Sequence, residues 1–198
     1  MEVMEAIAAR RSIRRYQPRE VPEGLLRQVL EAGRLAPSAS NLQTWKFKVV
    51  TDPGTRKALR EAAHNQRFVE EAPVVIVACA DLLALGDRAK RTLELLRARA
   101  VRPSAGMILW YLRKKGDSDG ERGFLHAVIN VTIAVENMVL AATSLGLGTC
   151  WVRAFEEERV AEILSLPPEY PPIFLLPLGY PAEDPGPRPR KSLEEILI

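Results

Sequence analysis

The chain has 198 residues, 47% of them hydrophobic, which is enough for one substantial core and too few for two independent ones. Its 28 Lys and Arg against 25 Asp and Glu leave a formal charge of only +3, a modest imbalance that speaks against a polybasic nucleic-acid binder. Cys79 and Cys150 stand far apart with no neighbouring Cys or His at metal-ligand spacing, so two buried reduced thiols are expected, with neither a disulfide framework nor a metal site.

The opening MEVMEAIAAR carries two acids where a signal peptide needs a basic region, and no apolar stretch approaches about 20 uninterrupted residues. A soluble cytoplasmic protein is expected. Val3, Met4, Ile7 and Ala8 fall at helical spacing, and Leu25, Leu26, Val29 and Leu30 repeat the pattern after Pro22. Two amphipathic helices therefore bracket the polar link RSIRRYQPRE.

After Pro37 a polar loop runs to Gln43, and Trp45, Phe47, Val49 and Val50 then read as a strand that Asp52-Pro53-Gly54 ends. A short helix follows over Thr55 to Ala63. Pro73 to Ala80 is almost wholly apolar and β-branched, which suits a central strand covered on both faces. Arg88 to Leu112 reads as helix interrupted near Pro103, and Lys114 to Arg122 reads as an exposed loop that could act as a lid or be a plain solvated connection.

Phe124 to Leu145 is so densely apolar that a helix buried on most sides is expected, a spine of the core or of a subunit interface. Gly146 and Gly148 stop it. Thr149 to Val152 then reads as strand, Glu156 to Leu164 as helix, Ile173 to Tyr180 as a last strand, and the proline-rich Pro181 to Lys191 as an extended tail. Helices and strands alternate without a repeated βαβ unit, so the reading is one α+β domain over residues 1–198.

Several chemistries are discounted by what is missing. The sequence has no GxxxxGK[ST] phosphate loop and no HExxH metal site, and GLG at Gly146 to Gly148 follows a helix, the wrong context for a dinucleotide fingerprint. Neither His64 nor His126 is assigned a catalytic role.

Two cationic clusters remain, RRSIRRY at Arg10 to Tyr16 and RPRK at Arg188 to Lys191. Each suits a phosphate, because the planar guanidinium fork and a serine hydroxyl give charge-assisted bonds to a dianion. Taken singly, either is equally an ordinary solvated patch. The loop APSASNLQTWKF gathers Ser38, Ser40, Asn41 and Gln43, whose amides and hydroxyls can match the edge of a flat heterocycle or simply form a hydrogen-bonded turn.

Taken in order, RRSIR, PSxxNxQxWxF, ENMxLAAxxLGLGTCW and a K/R-x-R tail span nearly the whole chain and resemble the nitroreductase family. The resemblance implies an FMN-dependent α+β fold with a central mixed or antiparallel sheet flanked by helices. It implies an intertwined homodimer with active sites between subunits, the tail from about residue 181 packing on the partner. Arg10, Arg11, Ser12 and Arg14 would hold one side of non-covalent FMN, Arg10 and Ser12 near the phosphate and Arg14 near the N1 and O2 edge. A fixed cation there favours the reduced ring, which carries negative charge near N1.

By the same resemblance, Pro37, Ser38, Ser40, Asn41 and Gln43 would reach the flavin of the other subunit. Asn65 would meet the ring's polar edge, and the Val152 to Phe155 segment, with Arg153 and the Ala154 N–H, would face N5. Arg188 and Arg190 would close over the phosphate, with Lys191 a further candidate one register away. Two departures stand out: Thr44 replaces a usual proline, which bears on loop rigidity, and Phe68 takes a place where some members carry a second cation.

The implied activity is a ping-pong transfer of electrons from NADH or NADPH to a nitroaromatic or quinone-type small-molecule acceptor, with no obligatory side-chain acid or nucleophile. Three alternatives stay open at this point: an oxygen-dependent flavin-fragmenting enzyme of the same family, a flavin-binding protein without turnover, and a basic nucleic-acid binder.

Overall fold

The computed structural model describes residues 1–102, 104, 106 and 120–198. In chain order the helices and strands are α1 (Val3–Ala9), α2 (Glu23–Arg34), β1 (Trp45–Val50), α3 (Pro53–Ala62), α4 (Arg67–Glu71), β2 (Val74–Ala80), α5 (Arg88–Arg97), α6 (Gly120–Ser144), β3 (Gly148–Thr149), α7 (Glu157–Leu164) and β4 (Pro172–Gly179). Among the described residues, four strands make one antiparallel sheet in the order β1-β2-β4-β3.

Every residue of β2 is buried, and the pleat divides them between two cores. Val75, Val77 and Cys79 face Leu59, Val69 and Val160 of α3, α4 and α7. Val74, Ile76, Ala78 and Ala80 face Val29 of α2 and Val131, Val135 and Met138 of α6. Helices on both faces explain why this strand lacks the apolar and polar alternation of a half-exposed one. Both cysteines are buried and free, as expected.

Four expectations are corrected or cut short. The helix from Arg88 ends at Arg97, where Arg99 turns left-handed at φ 54°, and most of its expected continuation to Leu112 lies outside the described residues. Of the Lys114 to Arg122 segment, residues 114–119 also lie outside them, while Gly120 to Arg122 form the first turn of α6. Glu121 and Arg122 are good helix formers, and the acid suits the helix N-terminus.

The strand expected over Thr149 to Val152 is reduced to Gly148–Thr149. Cys150 N–H donates to the Pro177 carbonyl at 3.4 Å, but proline has no N–H to return, so the ladder breaks there and resumes only as a Val152–Leu175 bridge. Finally, α6 is not buried on most sides along its whole length: Phe124, Leu125 and Ile129 are exposed, as are Val3, Met4 and Ile7 of α1. Although α6 is long and apolar enough to cross a membrane, its buried face, from Ala127 to Ala142, covers the sheet.

Candidate active site

The two ends of the sequence meet along the outer side of β3. Ser12 bridges Thr149, and Ile13 N–H donates to the Thr149 carbonyl at 2.8 Å. Gln17 N–H donates to Tyr180 O, and Ala182 N–H returns to Arg15 O, each at 2.9 Å. Residues 12–17 therefore run as an added strip beside β3 and the end of β4. Gly148 makes this possible, since a Cβ there would sit 2.6 Å from Ile13 Cγ1.

This pairing aims the proline-rich tail at the turn after α1. A cavity of about 310 Å³ results, lined by Arg10, Arg11 and Ser12 from one end of the chain and by Arg188 and Arg190 from the other. Arg11 has a structural task within it: Nη1 donates to Ala8 O and Arg10 O, and Nε donates to Pro185 O at 3.0 Å. It caps α1 and clasps the tail. Arg188 and Arg190 are exposed, and Arg190 donates to the neighbouring Pro189 carbonyl at 3.1 Å. A cavity rimmed by guanidinium groups and a serine hydroxyl fits the phosphate of FMN, whose dianion needs this donor set.

Next to the cavity lies a band suited to a ring. The Arg14 guanidinium stands 5.8 Å from the centre of the Phe68 ring, and Arg14 N–H donates to Glu183. Phe68 is thus a buried wall against which the cation rests. Gln66 Nε2 donates to the carbonyls of Ala63 and Ala154, each at 3.0 Å, which joins the left-handed His64-Asn65 turn to exposed Ala154. The Arg153 side chain turns away and pairs with Glu157 at 2.6 Å, so only its backbone belongs to this band.

Burial dominates the acid–base groups beneath. Tyr16 donates to Ile13 O at 2.9 Å, and burial, then the neighbouring Cys150 and Glu183, push its phenol well up. Cys150 is pushed up by burial while Arg14 and Arg188 pull it down. Cys79, in the sheet, is pushed up by burial to about 12. Neutral thiols are poor nucleophiles, so neither cysteine is a catalytic candidate. Glu136 of α6 is raised by burial, with Arg10 and the Trp151 indole opposing.

The serine and amide loop lies elsewhere. Pro37 is exposed, Ser38 Oγ accepts from Gln43 N–H at 2.9 Å, and Gln43 Nε2 donates to Asn41 O at 3.4 Å. Ser40, Asn41 and Gln43 all have left-handed backbones, at φ 52°, 54° and 52°. The loop enters β1 at Trp45, opposite Ala80, whereas Thr149 is level with Leu178 and Val74 at the other end of the sheet. Strand spacings place the two corners on the order of 20 Å apart. One protomer brings Arg10, Arg11, Ser12, Arg14, Asn65, Ala154, Arg188 and Arg190 to one side of the sheet and leaves Pro37, Ser38, Ser40, Asn41 and Gln43 at the diagonal corner.

Sequence reasoning missed Gln66, Glu183 and Asn130. Gln66 adjoins Asn65 and could have been drawn in with it. Asn130 is a polar residue inside an apolar helix, a visible anomaly, and its amide reaches the loop at Ala39 and Thr44. Thr44 is fully buried, so this departure from proline tethers the loop through its hydroxyl. Glu183 had no signal short of the tail's position.

Residues 7–180 match the family model described as Nitroreductase family. A protein of Thermus thermophilus named NADH dehydrogenase is 40% identical over 100% of this chain and 96% of its own length. A Methanothermobacter thermautotrophicus protein named putative NADH dehydrogenase/NAD(P)H nitroreductase is 35% identical over 95% of this chain and 82% of its own. Among solved structures, the NADPH:FMN oxidoreductase of Vibrio harveyi in complex with NAD+ superposes with a TM-score of 0.78 at 26% identity, covering 99% of this chain and 76% of that one.

Proposed function

The chain belongs to the nitroreductase family, and on that premise we propose that it is an FMN-dependent oxidoreductase carrying electrons from NADH or NADPH to a nitroaromatic or quinone-type acceptor. The observation that carries this reading is the meeting of Arg10, Ser12, Arg188 and Arg190 around one cavity. Bound FMN would supply the redox chemistry that links nucleotide and acceptor, with one pocket serving both partners in a ping-pong cycle. Arg10, Ser12, Arg188 and Arg190 hold the phosphate, while Arg11 keeps the tail in place. Arg14, kept beside Phe68, would stand by the polar edge of the ring and favour its reduced state by its charge. Asn65 and the Ala154 backbone would border the ring.

The protein works as a homodimer in the cytoplasm, one domain per chain. The loop at Pro37 to Gln43 is too far from its own cationic corner, so it completes the site of a second copy. The exposed apolar side chains of α1 and the start of α6 are the surface this pairing covers. The tail carries Leu193, Ile196 and Leu197 exposed behind a reciprocal Ser192–Glu195 capping pair, a short apolar segment suited to packing on the partner.

Purified protein mixed anaerobically with NADH or NADPH is expected to lose its yellow colour and regain it on adding a quinone. No bleaching with either nucleotide would overturn the enzyme reading and leave a flavin-binding protein. Consumption of the bound flavin in air would move the reading to the flavin-fragmenting branch.

A further inference from the structure

The geometry points to Asn130 as a positioning residue for the cofactor of the other subunit, acting through Thr44 and the loop between them; this rests on the dimeric FMN reading above. Asn130 is 3% exposed and sits between buried Ala127 and Ala134 on α6. An amide in such surroundings is destabilising unless it is hydrogen-bonded. Its partners lie on the loop. Oδ1 accepts from Ala39 N–H at 3.3 Å, and Nδ2 donates to Thr44 Oγ1 at 3.0 Å. A backbone N–H can only donate, so Ala39 fixes which way the amide faces.

These two bonds clamp the loop at both ends. Between Ala39 and Thr44 lie the left-handed residues Ser40, Asn41 and Gln43, a backbone region unfavourable for Ser and Gln and one that Asn tolerates better. Such a conformation persists only where its surroundings impose it. Asn130 imposes it at residues 39 and 44, Ser38 closes the turn onto Gln43, and Asp81 N–H anchors the Thr44 carbonyl at 3.1 Å. The groups that the neighbouring subunit's flavin would meet are thereby preset before FMN arrives, and the ordering cost does not fall on binding. Asn130 touches no cofactor itself. Its own cationic corner is at the far diagonal of the sheet, so its influence is exerted across the dimer.

The test uses the full-length protein with Asn130→Leu, Thr44→Val and Thr44→Ser. Dimer state and far-ultraviolet circular dichroism report the fold, while FMN affinity and the visible circular dichroism of bound flavin report the site. Asn130→Leu and Thr44→Val are expected to stay dimeric, weaken FMN about tenfold, the worth of one buried hydrogen bond, and alter the flavin dichroism. Thr44→Ser, which keeps the hydroxyl, is expected to restore both to within about threefold of the parent. Unchanged affinity and dichroism in dimeric Asn130→Leu and Thr44→Val would overturn the inference alone. Loss of fold or dimer in both variants would also overturn it, making Asn130 a residue of the core. If the parent protein binds no FMN, the functional reading fails first and the inference falls with it.

Discussion

The cationic corner and the loop corner are built in opposite ways. At the first, Arg10, Ser12 and Arg14 are partly buried or exposed and Arg188 and Arg190 are exposed; backbone pairing and the Arg11 clasp bring them together, and their strength is charge. At the second, a fully buried threonine and a buried amide hold three unfavourable backbones in place, and the strength is prior order. The difference teaches how a ligand can be gripped by two means at once. Cations that remain hydrated until a dianion arrives attract it from a distance, while a rigid loop lends shape with little left to freeze.

The sharpest way to break this contrast is to remove the charge. Arg10→Ala combined with Arg188→Ala deletes two charge-assisted contacts worth about 1.5–3 kcal/mol each, so FMN affinity measured by fluorescence titration should fall ~100-fold or more. A change below about threefold would mean that the phosphate is held elsewhere.

The assignment of the corners to different subunits can be tested by mixing. A chain carrying Arg10→Ala and Arg188→Ala, paired with one carrying Asn41→Ala and Gln43→Ala, leaves one intact site per heterodimer. Tight FMN binding should then reach about half of the parent stoichiometry, whereas each variant homodimer binds weakly. Weak binding in the heterodimer as well would place loop and cations in the same subunit.

A smaller effect is expected from Gly148→Ala, which touches the cationic corner and leaves the loop alone. The new methyl would meet Ile13 Cγ1 at 2.6 Å and Ile13 Cβ at 2.9 Å, so the strip at residues 12–17 must shift. Overpacking of this kind costs about 1–3 kcal/mol, read as a lower thermal midpoint together with weaker FMN binding. An unchanged midpoint would show the strip to be more yielding than its pairing suggests.

Much of this was legible in the sequence, and the reasons are specific. Val74–Ala80 was readable as a covered strand because its seven residues are all apolar and must serve two cores. That Arg10, Ser12 and Arg188 suit a phosphate was readable because the residue type is itself the chemistry, and the structure lines one cavity with them. The diagonal separation of loop and cations was not, since it depends on strand order. Nor was the Asn130 clamp, which joins residues 86 and 91 positions apart. The break of β3 was in principle visible in Pro177, but only once its neighbour across the ladder was known.

The pairing of residues 12–17 with Thr149 and with residues 180–182 has a consequence for how the protein is made. A ribosome delivers Arg188 178 residues after Arg10, so the cationic corner cannot exist until the tail has been made. Such distant contacts also close slowly. Closure of this corner therefore has to await residues 180–190, and a chain stalled before residue 180 would already contain β1 and β2 yet lack the tail that lines the cavity.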